Sequence, residues 1–81
     1  MKDLFGFKRR RAELQTRVLA ELDAAGKTSR EIGRAIEHKT GRAVGVGPLF
    51  VTLHALEREG RIAAEWRPGR DGMIRVYKLA G

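Results

Sequence analysis

The chain has 81 residues, 42% of them hydrophobic, which suits one small domain with a modest apolar core. It contains no cysteine, so disulfide bonds and thiolate metal sites are excluded. No apolar stretch approaches the roughly 20 residues of a membrane-spanning helix, and no signal-peptide core follows the basic start. We therefore expect a cytoplasmic protein.

The net charge of +7 is concentrated at the two ends of the chain. Residues 1–11 carry five basic residues against one acidic, and residues 66–81 carry four against one. Residues 12–65 hold eight of each sign, so the centre is neutral. Two basic ends on a neutral body favour a polyanion bound at two places, with nucleic acid as the first choice. The alternative is that these lysines and arginines only keep the surface solvated.

The first predicted helix follows a basic leader. Residues 1–11 form that leader, and Gly6 argues against helix at the very start, so we place a compact domain at residues 12–81. From about Arg11 to Ala25 the apolar residues recur at helical spacing, and Gly26 is a typical helix terminator. The apolar stripe consists of Leu14, Val18, Leu22 and Ala25.

A second helix is predicted to begin after Thr28. Thr28 and Glu31 have the spacing of a capping box, and Gly41 closes the segment. Gly33 lies inside this helix at a cost of about 1 kcal/mol relative to alanine, for which close helix packing is the expected compensation. The following residues, 42–47, fit either a short strand or an extended connector.

A third helix and a hairpin complete the chain. Pro48 suits the first helical position, Gly60 ends the helix, and Leu49, Leu53 and Leu56 form its inward face. Residues 61–66 and 73–79 are strand-like, and residues 67–72 between them are rich in turn residues. The predicted fold is α+β, mainly α with a small hairpin, in the order α-α-β-α-β-β. This is the order of a winged helix-turn-helix, which places the second helix of the pair in the major groove of DNA.

The outward face of the third helix provides the candidate base readers. Val51, His54 and Arg58 fall opposite Leu49, with Phe50 at the flank. Phe50 and Val51 could touch a thymine methyl group, while His54 and Arg58 could donate to bases or phosphates. The alternatives are that Phe50 belongs to the core and His54 is an ordinary surface residue.

The amide side chains limit how bases could be read. The sequence has no asparagine, and its one glutamine, Gln15, lies on the first predicted helix. The usual bidentate readers of adenine are therefore missing from the third helix. Specificity would come from arginine, His54, apolar contacts or DNA shape, and we expect it to be modest.

The hairpin supplies further candidate DNA contacts. Arg67, Arg70 and Arg75 flank its turn and suit the minor groove or the DNA backbone. Edge protection of the hairpin is the alternative role for these cations. Trp66 fits a lid over the core better than a base-stacking platform.

Two further groups of residues could contact phosphates. Ser29 and Arg30 lie at the start of the second helix, where backbone amides can meet an anion. Arg9, Arg10 and Arg11 of the leader could form a minor-groove arm or a phosphate clamp, or could be a disordered flank.

The residues needed for catalysis are not grouped. Ser29 is the only serine and belongs to the capping segment, and His38 and His54 lie on different predicted helices. We therefore expect no enzyme activity, no catalytic or metal-binding residues and no cofactor.

Residues 46–60 and the strands after them resemble PadR-like transcriptional regulators. In that family a helix of the pattern Pro-Gly-Thr-Leu-Tyr-Pro-Ala-Leu-x-Arg-Leu-Glu-x-x-Gly precedes an apolar strand, a basic wing and a Tyr-x-Leu strand. Phe50 takes the place of the tyrosine, and residues 76–79 match the closing strand. The helix matches at Gly47, Leu49, Leu53, Leu56, Glu57 and Gly60, and departs from the pattern at Pro48, Val51, Thr52 and Ala55.

The resemblance implies a winged-helix regulator that binds double-stranded DNA. PadR-like proteins usually continue into C-terminal helices that dimerise, whereas this sequence ends at Gly81. A homodimer would then need another surface, for which Leu4–Phe7 is the apolar candidate, and no small-molecule effector is expected. The alternative functions are a winged-helix module that binds proteins and a binder of structured RNA.

Overall fold

The computed structural model describes the backbone of residues 2–81 and the side chains from Arg10 onward. Three helices are followed by one antiparallel hairpin, so the predicted winged-helix class is confirmed. The side chains of Arg9 and of the proposed dimer segment, Leu4–Phe7, lie outside the described residues. The elements are α1 (Lys2–Glu21), α2 (Ser29–Thr40), α3 (Val46–Arg58), β1 (Ile62–Gly69) and β2 (Gly72–Leu79).

Helix α1 begins and ends earlier than its apolar spacing predicted. It starts at Lys2 rather than near Arg11, because extending a formed helix through one glycine costs only about 1 kcal/mol. It ends at Glu21, where the chain enters a turn. In that turn Gly26 has φ +92°, and its amide donates to the Asp23 carboxylate at 2.9 Å. This hydrogen bond holds the pKa of Asp23 below its ordinary value.

Helix α2 has the predicted start and stop. The Glu31 amide donates to the Thr28 hydroxyl at 3.2 Å, and the Thr28 amide donates to the Glu31 carboxylate at 2.9 Å. Gly41 closes the helix with φ +74°, a left-handed conformation in which glycine has no steric penalty. The capping box and the C-terminal glycine are thus confirmed.

The predicted strand within residues 42–47 is not formed. These residues make a connector up to Gly45, the N-cap of α3, and then enter the helix. The additional strand pairing lies instead at Lys27, whose amide and carbonyl each bond to Tyr77 of β2 at 2.8 Å. Lys27 thereby occupies the edge of β2 opposite β1, while the glycines of the connector disfavour extended pairing.

Helix α3 begins two residues before the predicted start. Pro48 is therefore its third residue rather than its first, which is tolerated because amides of the first turn have no partner within the helix. The end of the helix is as predicted, with Gly60 at φ +74° just beyond it. The predicted inward leucines are all buried, and Thr52 is buried with them.

The hairpin has a tighter turn than the sequence suggested. Gly69 pairs with Gly72, so only Arg70 and Asp71 form the turn, and Pro68 lies in β1 opposite Met73. Pro68 is accommodated because β1 is an edge strand with one free side. The hairpin therefore extends further as paired strands than predicted.

The core joins all five elements. Helix α3 provides its centre, and one residue from each strand attaches the hairpin to the helices. The one buried acid of the described residues, Glu21, pairs with Lys39 of α2 at 2.6 Å and links α1 to α2. The buried cluster consists of Val18, Leu22, Ile32, Ile36, Leu49, Leu53, Leu56, Ile62 and Tyr77.

Two glycines are expected to respond oppositely to alanine. A Cβ at Gly33 would lie 3.5 Å from the nearest Leu49 carbon, an ordinary contact, so close packing does not explain this glycine as predicted. Gly33→Ala should raise stability by up to about 1 kcal/mol through helix propensity. Gly26 has φ +92°, and a Cβ added to it would lie 2.5 Å from a Val76 carbon. Gly26→Ala should therefore lower the free energy of unfolding by more than about 1 kcal/mol.

Thermal melting of the two variants beside the wild type measures both effects. A lower Tm for Gly33→Ala would show that α2 and α3 lie too close together at Gly33 to admit a methyl group, which would contradict the 3.5 Å distance to Leu49.

Candidate nucleic-acid interface

The outward face of α3 is exposed along its whole length. Phe50 is 50% and Val51 57% exposed, and His54 and Arg58 are exposed beyond them. The alternative that Phe50 belongs to the core is therefore wrong. Because the buried leucines hold the other side, this face is apolar in its first half and basic towards its end.

Helix α1 brings the last arginines of the leader beside this face. Arg11 borders the same shallow depression as Phe50, Val51, His54 and Arg58. The neighbouring Arg10 borders an apolar hollow beside the start of α3. The sequence placed both arginines in a separate leader, whereas the continuous α1 helix attaches them to the domain.

Helix α2 lines the opposite flank of the face. Ser29 and Arg30 border a groove that is closed on the other side by Val46 and Phe50 of α3. The groove also includes Arg34, which is not among the candidate DNA contacts predicted from the sequence. Its signal was present in the sequence, because Arg34 is four residues after Arg30 and hence on the same helix face.

The three arginines of the hairpin are not equivalent. Arg67 donates from Nε to the Glu65 carboxylate at 2.6 Å, and Arg75 lies 3.1 Å from Glu57 of α3. Arg70, in the exposed turn, has no ion pair among the described side chains. The hairpin therefore presents less unpaired positive charge than its sequence suggests.

Glu65 accounts for much of this neutralisation. Hydrogen bonds from Arg67 and Lys78 hold the pKa of Glu65 below its ordinary value, so the carboxylate stays charged at neutral pH. Lys78 Nζ lies 3.3 Å from Glu65 Oε2. Two basic residues of the strands thus share one acidic partner.

Trp66 is not a lid over the core as predicted. It is 61% exposed and lies in the turn half of the hairpin, where residues 72–75 of the paired strand are exposed as well. The strand register places Trp66 opposite Arg75, whose guanidinium carbon lies 5.4 Å from the centre of the Trp66 ring. The same carbon is 5.9 Å from the ring centre of Tyr77. Burial of the Tyr77 hydroxyl raises the pKa of this residue.

Neither a metal-ligand group nor a membrane-spanning helix is found among the described residues. From Arg10 onward, no group of three His, Asp or Glu side chains converges as a metal site. None of the helices, as far as the structure describes them, is long and apolar enough to cross a membrane.

Solved structures share this fold. A PadR-like transcription factor from Bacteroides fragilis superposes with a TM-score of 0.82 at 20% identity, covering 95% of this chain and 75% of its own. A protein from Thermoplasma acidophilum described as a transcriptional regulator superposes with a TM-score of 0.81 at 19% identity, covering 90% of this chain and 71% of its own. The fold is thus the PadR-like winged helix. No protein-family model and no curated protein matches the sequence.

The exposure of α3 predicts which of its residues support folding. Phe50→Ala should lower the free energy of unfolding by less than about 1 kcal/mol, because half of the ring is already in water. Leu53→Ala, at a position 1% exposed, should cost about 2–5 kcal/mol. Urea unfolding followed by circular dichroism measures the free energy of unfolding of both variants. A Phe50 variant as unstable as the Leu53 variant would show that Phe50 is part of the core.

Proposed function

We propose that this protein binds double-stranded DNA as a transcriptional regulator, with α3 in the major groove. The observation that carries the proposal is the outward face of α3, which is exposed and flanked by arginines from both α1 and α2. The fold, shared with proteins named as transcriptional regulators, supports the same role.

The shape of α3 suits the major groove. An α-helix with its side chains fits a groove about 12 Å wide, and the buried leucines fix which side of α3 would enter it. Phe50 and Val51 would contact thymine methyl groups, and His54 and Arg58 would donate to base edges or phosphates. Arg10 and Arg11 would meet one phosphate strand, and Arg30 the other.

The remaining contacts would be to the DNA backbone. Arg70 would reach the backbone or the minor groove from the hairpin turn. Ser29 is the first residue of α2, where free amides and the helix dipole favour a phosphate. Since α3 has no asparagine or glutamine, sequence preference would be modest and would depend partly on DNA shape.

A titration by fluorescence anisotropy tests the proposal. The probes are a duplex DNA, a hairpin RNA and a single strand, each measured at two or more salt concentrations. We expect tightest binding to the duplex and an affinity that falls steeply with salt. Absence of duplex binding near physiological salt would contradict the proposal. Tighter binding to the hairpin RNA than to the duplex DNA would favour structured RNA as the target.

Substitution of two exposed arginines should weaken DNA binding without affecting the stability of the fold. Arg58→Ala and Arg70→Ala should each weaken duplex binding and reduce the slope of log K against log salt by about 0.9, one phosphate contact each. Their Tm values should stay close to the wild type, because both side chains are exposed.

Arg17→Ala is the matched control for these two variants. Arg17 is an exposed arginine of α1 that pairs with Glu13 and borders the groove between α1 and α2, away from the α3 face. The same loss of charge at Arg17 should leave the salt slope unchanged. Equal slopes for all three variants would show that the assigned face is wrong.

A further inference from the structure

We infer that Arg75 is a positioning residue that fixes the hairpin against α3, instead of a DNA-contacting residue as the sequence predicted. The inference rests on the proposed function, because what it positions is the DNA-binding hairpin. Its basis is the set of groups around one guanidinium: Glu57 of α3, Trp66 of β1 and Tyr77 of β2.

Glu57 connects this group to the helix. Its two carboxylate oxygens lie 3.1 and 3.4 Å from the same Arg75 nitrogen. Glu57 is partly buried and lies in the last turn of α3. It follows Leu56, which is 0% exposed. The acceptor is therefore held on a rigid part of the molecule, and the ion pair ties β2 to α3 directly.

The two aromatic rings engage the guanidinium further. Arg75 lies over Trp66 and near Tyr77, at distances typical of cation–π contacts. Tyr77 belongs to the core, so it anchors the base of the hairpin, whereas Trp66 is mostly exposed. One guanidinium nitrogen of Arg75 is already held by the Glu57 carboxylate, which offsets the charge that Arg75 can offer to a phosphate.

The position of Arg75 along the hairpin gives this link its importance. Trp66 and Arg75 face each other, three pairs from the closing Gly69–Gly72 pair. Beyond them, towards the turn, no described hydrogen bond or ion pair joins the hairpin to a helix. A two-stranded ribbon is weakly stable alone, so its direction depends on its links to the body. Among the described residues, the ion pair of Arg75 with Glu57 is the polar link to a helix that lies nearest the turn.

Substitution of Glu57 distinguishes positioning from contact by the sign of its effect. If Arg75 contacts DNA, Glu57→Gln releases its guanidinium and removes a negative charge, so duplex binding tightens. If Arg75 positions the hairpin, the same variant loosens the hairpin and duplex binding weakens. The matched control is Glu59→Gln, the same change on an exposed neighbour with no ion pair among the described residues.

The experiment measures duplex binding by anisotropy for wild type, Glu57→Gln, Glu59→Gln and Arg75→Gln over a range of salt. We expect Glu57→Gln to weaken binding roughly threefold to fivefold, the scale of one exposed ion pair. Glu59→Gln should bind as tightly as wild type or more tightly. Arg75→Gln should weaken binding with an unchanged salt slope, since no phosphate contact is lost.

A second readout follows the hairpin without DNA. Trp66 is the only tryptophan, so its emission reports on the guanidinium above its ring. Glu57→Gln and Arg75→Gln should both change that emission in the free protein, and Glu59→Gln should not.

Three results would overturn the inference. Tighter or equal binding by Glu57→Gln, with the wild type binding normally, overturns it and leaves the proposed function intact. A salt slope reduced by about 0.9 in Arg75→Gln does the same, because it reveals a phosphate contact. Failure of the wild type to bind any duplex overturns the proposed function and the inference together.

Discussion

The burial of one side of α3 is the constraint on which the rest of the structure depends. Its three leucines contact a core to which α1, α2 and both strands contribute, so α3 cannot rotate about its axis without opening that core. This burial determines which residues face outward, and it explains how Phe50 and Val51 come to be exposed. An apolar outward face is costly in water, and contact with a partner is the usual reason for keeping one.

The acidic residues decide where the positive charge is effective. Counted along the sequence, the excess lies at the two ends, but Glu65 and Glu57 neutralise much of the charge of the hairpin. The arginines around α3 come from α1 and α2, and therefore from sequence segments with different net charge. A charge count by segment identified a basic protein correctly, but it could not locate the basic surface, because ion pairs form between elements.

Local interactions were predictable from the sequence and tertiary ones were not. The capping box of Thr28 and Glu31 and the glycine stops of α2 and α3 depend on residues within a few positions, so their patterns are sufficient. The exposure of Trp66 depends on which part of the hairpin packs against the helices, which strand patterning does not encode. The pairing of Lys27 with Tyr77 joins residues fifty positions apart, and no local signal marks it.

The proposed interface is assembled from four elements, and this places a demand on the core. Each element contributes one to four residues to that interface, so affinity for DNA would depend on all of them meeting one DNA surface at the same time. Ordering loose elements during binding would cost part of the interaction energy, whereas a body that is already rigid avoids that cost. The Glu21–Lys39 pair and the strand pairing at Lys27 connect the elements away from the α3 face. Under the proposed function these links would influence DNA affinity without touching DNA, since they hold the arginines of the proposed interface at fixed separations.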